Sequence, residues 1–191
     1  MKTFLTISAL CFTSFYAKAT SVLASSFGWN GSDDTEALED AFQSGYDTLI
    51  IDLQSGNWVS GPLIFHLEDD TDIHDLTVIF ESGVTLAAKT GAYDDHPYDG
   101  LLNFFGCTNI NLLGYGATLR MNKQEYIDLN DGSQWRHAVS ISGCVNMKVY
   151  GFEILDTGGD GVEVAGRWQQ AVPSENVRIL DCKIDNAFRN G

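Results

Sequence analysis

Six residues in the last third of the chain carry groups that can move a proton or hold an anion: Arg136, His137, Asp160, Glu163, Arg189 and Asn190. A carboxylate beside a second carboxylate or an imidazole can hold a shifted pKa and serve as general acid or base. Guanidinium groups suit an anionic partner, above all a carboxylate gripped by two parallel hydrogen bonds. The spacing is the clue, because 23 residues separate His137 from Asp160 and 30 separate Asp160 from Asn190. No Walker, Rossmann, Gly-x-Ser-x-Gly or His-Glu-x-x-His pattern occurs to suggest another chemistry.

Residues so far apart in sequence meet only if the backbone repeats, and this chain repeats. Gly83-Val84-Thr85-Leu86 returns as Gly116-Ala117-Thr118-Leu119, 33 residues on. Gly106-Cys107-Thr108-Asn109-Ile110 returns as Gly143-Cys144-Val145-Asn146-Met147 after 37 residues, and the asparagine-centred piece returns at Asn176 after 30. His137-Ala138-Val139-Ser140-Ile141 matches Asp160-Gly161-Val162-Glu163-Val164. Short β-rich runs set off by Gly, Asn and Asp lie at Thr48–Leu53, Gly61–Phe65, Leu76–Phe80 and Val84–Leu86. Repeats of roughly 20–40 residues built from strands predict the coils of a β-solenoid. Longer loops are expected at 121–136 and 165–174, and one short amphipathic helix behind a capping box that starts at Asp33. No second amphipathic helix is predicted.

Strand parity then decides direction. With Val162 and Val164 inward, Glu163 faces out, and the same alternation turns Ser140 and Asn103 outward. Stacked coils lie about 4.8 Å apart, which predicts an outer column Asn103, Ser140, Glu163. Beside it runs an entry column Gly100, His137, Asp160, Asn190, with Arg136, Gly159 and Arg189 one residue earlier. On this reading Asp160 and Glu163 form an acid/base pair with His137, and Arg136, His137, Arg189 and Asn190 bind. A Gly158-Gly159 gap would let a ring approach the backbone. Trp135 and Trp168, in loops nearby, could stack on flat apolar faces. The plainer alternatives are that Asp160 caps a solenoid corner, that Glu163 is a surface charge and that the tryptophans pack on the flank. Asn109, Asn146 and Asn176 are expected to form a buried ladder, with Cys107 stacked on Cys144.

Composition narrows the partners. With 26 acidic against 11 basic residues the formal charge is −15, which repels polyphosphates and anionic membranes. The segment 1–19, ending in Ala17-Lys18-Ala19, reads as a secretory signal peptide. This predicts a secreted, extracellular protein (periplasmic in a bacterium), a monomer in which residues 20–191 form one domain. Without the signal segment three cysteines remain, Cys107, Cys144 and Cys182. An odd number leaves at least one thiol unpaired, and without a CxxC or His-spaced pattern zinc is not expected. Asn30-Gly31-Ser32 is a glycosylation sequon, relevant in a eukaryote. The turn at 69–72 is read as surface. The loop Tyr93-Asp94-Asp95-His96-Pro97-Tyr98-Asp99 offers hard oxygen ligands that could suit Ca²⁺, or is simply solvated.

The segments FGWNGSDDTEALEDAF, GNWVSGPLIFH, LTVIFESGVTLAA, INLLGYGATLRM, ISGCVNMKVYGFEILDTGGDGVEV and NVRILDCKIDNAFRNG together resemble the right-handed parallel β-helix, pectin-lyase-like superfamily over nearly all of residues 20–191. The resemblance implies an all-β solenoid whose open end is plugged by the short N-terminal helix. It also implies an acidic, uronic-acid-containing polysaccharide as partner, cut by hydrolysis or by lyase chemistry. Calcium is the cofactor its lyase members imply. Polygalacturonase-like members carry an Asn-Thr-Asp turn, an Asp-Asp pair on the next coil, then His-Gly and Arg-x-Lys. Here Thr157-Gly158-Gly159-Asp160-Gly161 resembles the first of these, and Arg189-Asn190-Gly191 stands where the Asp pair would be. The repeat predicts a strand continuing past Gly191, so the chain is read as the N-terminal part of such a solenoid. The competing reading is a non-catalytic glycan-binding or adhesion module.

Overall fold

The computed structural model describes residues 20–66, 73–167 and 171–190. The expected signal peptide, the turn at 69–72 and Trp168 lie outside the described residues. Strands β2 (Thr48–Ile51), β3 (Trp58–Ser60) and β4 (Leu63–His66) make the three sides of one coil. The next coils repeat it as β5 (Thr77–Phe80), β6 (Thr85–Ala88) and β7 (Leu102–Phe105), then β8 (Thr108–Leu113), β9 (Thr118–Arg120) and β10 (Val139–Ser142). After these come β11 (Val145–Tyr150), β12 (Glu153–Leu155) and β13 (Val162–Ala165), and finally β14 (Arg178–Leu180) and β15 (Lys183–Asp185). Every pairing between these strands is parallel, giving three sheets in the orders β1-β2-β5-β8-β11-β14, β3-β6-β9-β12-β15 and β4-β7-β10-β13, where β1 is Ser21–Leu23. The architecture is a parallel β-helix.

Alternation within each strand builds the core. Register stacks Leu49, Val78, Leu112 and Val149 in one inward column and Leu63, Leu102 and Val139 in another, all buried. Burying one such side chain contributes about 1.5–3 kcal/mol, and the columns concentrate that gain along a single axis. At the last described coil the first column continues in Ile179, which is exposed.

The asparagine ladder forms, but it is exposed rather than buried. Asn109, Asn146 and Asn176 take φ of 56°, 59° and 52° at one corner. Asn176 Nδ2 donates to Asn146 Oδ1 and Asn146 Nδ2 to Asn109 Oδ1, both at 2.7 Å, while Asn109 Nδ2 donates to Asp75 Oδ1 at 2.6 Å. A left-handed corner turns the side chain along the stack instead of into the core, and Asn tolerates that conformation better than other L residues with a Cβ.

Three local expectations change. Helix α1 (Thr35–Phe42) starts one residue late: its N-cap is Asp34, with no capping bond from its own side chain. The buried Asp34 carboxylate instead accepts the N–H groups of Asn30, Gly31 and Val59, pinning the helix to β3. Leu38, Ala41 and Phe42 are buried, with Phe42 stacked on Phe65 at 4.8 Å, so α1 closes the solenoid as expected. Ahead of the helix, where the repeat predicts no element, Ser21–Leu23 form the edge strand β1 and Ala24–Phe27 a 3₁₀ turn. A second helix, α2 (Lys123–Leu129), occupies the loop at 121–136. It buries only Tyr126, so it has no apolar stripe to betray it, and ends at Asn130 with φ of 50°.

Candidate functional site

Register between β7, β10 and β13 places Asn103, Ser140 and Glu163 side by side, as the repeat predicts. At the strand entry Leu101 N–H donates to His137 O, Ala138 N–H to Asp160 O and Gly161 N–H to Asn190 O, which aligns Gly100, His137, Asp160 and Asn190. Exposure along the outer column is uneven. Asn103 is buried, its side chain bonded to the backbones of Gly100 and Leu63, and Ser140 is nearly so. Glu163 is the member that reaches solvent.

His137 sits between the two carboxylates. Its Nδ1 accepts the backbone N–H of Asp160 at 2.8 Å and lies 3.8 Å from Asp160 Oδ2; its Nε2 lies 3.7 Å from Glu163 Oε2. Side-chain exposure is 2% for His137, 13% for Asp160 and 26% for Glu163, so the imidazole lies behind the carboxylates rather than among them. Burial pushes the His137 imidazole below its ordinary value, against the upward pull of Glu163 and Asp160, with Arg189 adding a smaller push down. Ser140 Oγ donates to Glu163 Oε2 at 2.9 Å. Asp160 Oδ1 accepts both the backbone N–H and the side-chain amide of Asn190, at 3.0 and 2.9 Å, so Asp160 caps the following turn as well as facing the ring. The Asn190 amide is thereby engaged.

Arg189 and Trp135 complete the exposed part. The Arg189 guanidinium lies 4.7 Å over the Trp135 ring and 3.7 Å from Asp160 Oδ1, and the Trp135 ring meets His137 edge-on at 6.2 Å. Trp135 is 43% exposed, an amphipathic ring beside Arg189. The opening next to these residues is lined by Asp160, Glu163, Arg189 and Asn190 together with Val162, Val164, Ile179 and Ile184 of the core columns, so it lies at the end of the last described coil rather than on the outer wall.

Two expectations about this wall are corrected. Arg136 does not face a ligand: it is fully buried, donating from Nε to Tyr93 O at 3.1 Å and from NH2 to Asp131 Oδ2 at 2.6 Å, with its guanidinium 5.2 Å from the Tyr126 ring. Parity cannot reveal this, because the covering side chains come from α2 and the loop at 93–99. The Gly158-Gly159 gap is filled by protein: a Cβ on Gly158 would sit 2.4 Å from Tyr126, and one on Gly159 2.7 Å from His137 Nδ1. These glycines admit a tyrosine and an imidazole, leaving no space for a sugar.

Calcium finds no ligand set at 93–99. Asp99 Oδ2 is taken by His96 Nδ1 at 2.8 Å and Tyr93 is buried, donating from its hydroxyl to Ser60 O. Among the described residues no group of three or more His, Cys, Asp or Glu side chains is placed to hold a metal ion. Cys107 and Cys144 are free and buried, and Cys182 is free and half-buried. Among the described residues no helix is long and apolar enough to cross a membrane.

No protein-family model and no curated protein matches the sequence. Among solved structures the chain is similar to one named "putative glycosyl hydrolase" from Parabacteroides merdae, with a TM-score of 0.57 at 10% identity, covering 88% of this chain and 76% of that one. At that identity the likeness concerns the fold.

Proposed function

We propose that this chain is a secreted, carbohydrate-active solenoid of the pectin-lyase-like kind that acts on an acidic, uronic-acid-containing glycan at the Glu163 wall. The observation that carries the reading is the meeting, across successive coils, of Glu163 and Asp160 around one imidazole beside the Arg189–Trp135 pair. Glu163 would transfer the proton, either activating water or removing one acidified by the sugar carboxylate. Arg189 would bind that carboxylate, offsetting the repulsion that a chain of charge −15 exerts on a polyanion. Trp135 would take the apolar face of a neighbouring ring. The resemblance of the repeat and the name of the similar structure lean the same way.

The binding-only alternative draws on a specific observation: Asp160 and Asn190 are tied to each other, and His137 is sealed from solvent. The two readings separate on polygalacturonate. Hydrolysis releases reducing ends and lyase chemistry an ultraviolet-absorbing unsaturated uronate. The enzyme reading expects one of these signals from the wild type and its loss in Glu163→Gln. Binding of the polymer by both proteins with neither product formed would leave the adhesion module.

A further inference from the structure

We infer that His137 is a positioning residue for Glu163, a neutral imidazole protonated on Nε2 whose buried N–H is aimed at the Glu163 carboxylate, so that Glu163 and not Asp160 is the carboxylate free for proton transfer.

The tautomer follows from one bond. A backbone N–H can only donate, and that of Asp160 points at His137 Nδ1 from 2.8 Å, so Nδ1 carries a lone pair. A neutral ring must then hold its proton on Nε2. That atom is buried and makes no hydrogen bond, and the acceptor facing it is Glu163 Oε2 at 3.7 Å. A buried donor left unpaired is unfavourable, which draws the carboxylate towards it. The Ser140 hydroxyl already holds the same oxygen at 2.9 Å. Both groups act on Oε2 and leave Oε1 for a proton from outside. Neutrality follows from the same bond, because an imidazolium carries a proton on Nδ1 and could not accept there. Burial favours the neutral ring against the Glu163 and Asp160 carboxylates, with Arg189 and the Trp135 edge the other groups facing it. Asp160 is differently committed. Its amide fixes the ring and its Oδ1 takes two bonds from Asn190, so it organises the turn around His137.

The consequence for proton transfer rests on the proposed glycan-facing site; the assignment of the imidazole does not. It is tested by long-range ¹H–¹⁵N spectroscopy of the full chain, in which His137 is identified among the four histidines by its absence in His137→Gln. The expected spectrum has a protonated Nε2 and a bare Nδ1 at neutral pH. Glu163→Gln should shift the Nε2 resonance and lower the titration midpoint, because a negative charge that favours the imidazolium is gone. A proton on Nδ1, or a ring indifferent to Glu163→Gln, overturns the assignment. Should Glu163→Gln fail to fold by circular dichroism, Ser140→Ala serves instead, with movement of Nε2 alone expected and an unmoved Nε2 counting against. On polygalacturonate, Glu163→Gln should lose about 10²–10⁴-fold in kcat, Asp160→Asn less. His137→Gln should lower kcat by up to about a hundredfold with KM little changed. A larger loss in Asp160→Asn than in Glu163→Gln would overturn the division of labour. If the wild type turns over no uronan the functional reading fails, while the spectra still decide the imidazole.

Discussion

Replacing Arg136 with Met separates the two roles open to that side chain, ligand binding and internal support. Three interactions are lost. Tyr93 O loses the Nε–H bond but keeps the N–H of His96 at 3.2 Å, so the loss is one bond of two, about 1 kcal/mol. The guanidinium over Tyr126 at 5.2 Å, both groups being buried, contributes roughly 1–2 kcal/mol. The Asp131 pair adds less than about 1 kcal/mol, because the carboxylate side chain is 28% exposed and water replaces the partner. Met fills most of the space of the Arg stem, so the cavity contribution is small. The sum is about 2–4 kcal/mol, which moves the urea midpoint down by roughly 1–2 M. The deficit should also depend on pH. Arg136 holds the Asp131 carboxyl below its ordinary value of 3.8, so this stability is present above that pH and is lost as the pH falls through the lower folded value. The gap between wild type and variant should therefore narrow by less than about 1 kcal/mol below pH 3.8, because the Tyr93 and Tyr126 contributions persist there. Equilibrium urea unfolding at neutral and acid pH gives both numbers, and titration with oligogalacturonate at low denaturant gives affinity. An unmoved midpoint together with lost glycan binding would refute the argument and return Arg136 to the ligand.

Other outcomes follow from the same structure. Asn146→Ala removes two exposed ladder bonds and forces a Cβ residue without a polar side chain into the left-handed region, for about 2–3 kcal/mol; Asn146→Gly keeps the backbone free, so the Ala–Gly difference in thermal unfolding should be about 1 kcal/mol. His137 has a folded value below its ordinary 6.5, so its contribution to stability is full above that pH and declines as pH falls through 6.5 towards the lower folded value; the wild-type slope in that window should vanish in His137→Gln, and an identical slope in both would exclude the imidazole as its source. Cys182 should react first with a disulfide reagent under native conditions, slowly because burial raises its pKa, with Cys107 and Cys144 silent until unfolding. Rapid labelling of three thiols would contradict the packing.

Much of this molecule can be read from its repeat. Asn109, Asn146 and Asn176 recur at the spacing of one coil, and Val139 and Val162 recur with His137 and Asp160 at a constant offset. That offset is enough to place Glu163 beside Ser140 and Asp160 beside His137. Helix α1 was legible from its apolar stripe. Helix α2 was not, since Tyr126 is its one buried residue and Leu129 its one further core contact, too few to make an apolar stripe. The asparagine ladder was legible in its pairing but not in its exposure, because the turn of the backbone at φ near 55° decides which way the amide points.

The sequence by itself determined the coil, the register and which residues share a wall, because a parallel stack transmits a one-dimensional period directly into neighbouring rows. What lies over that wall was decided by tertiary structure alone. Tyr93, Tyr126 and Asp131 come from insertions between strands and obey no period, yet they bury Arg136 and, with Gly158 and Gly159, close the gap behind His137. Local pattern fixes which side of a strand a residue faces; only the packing of distant loops settles whether that side meets water.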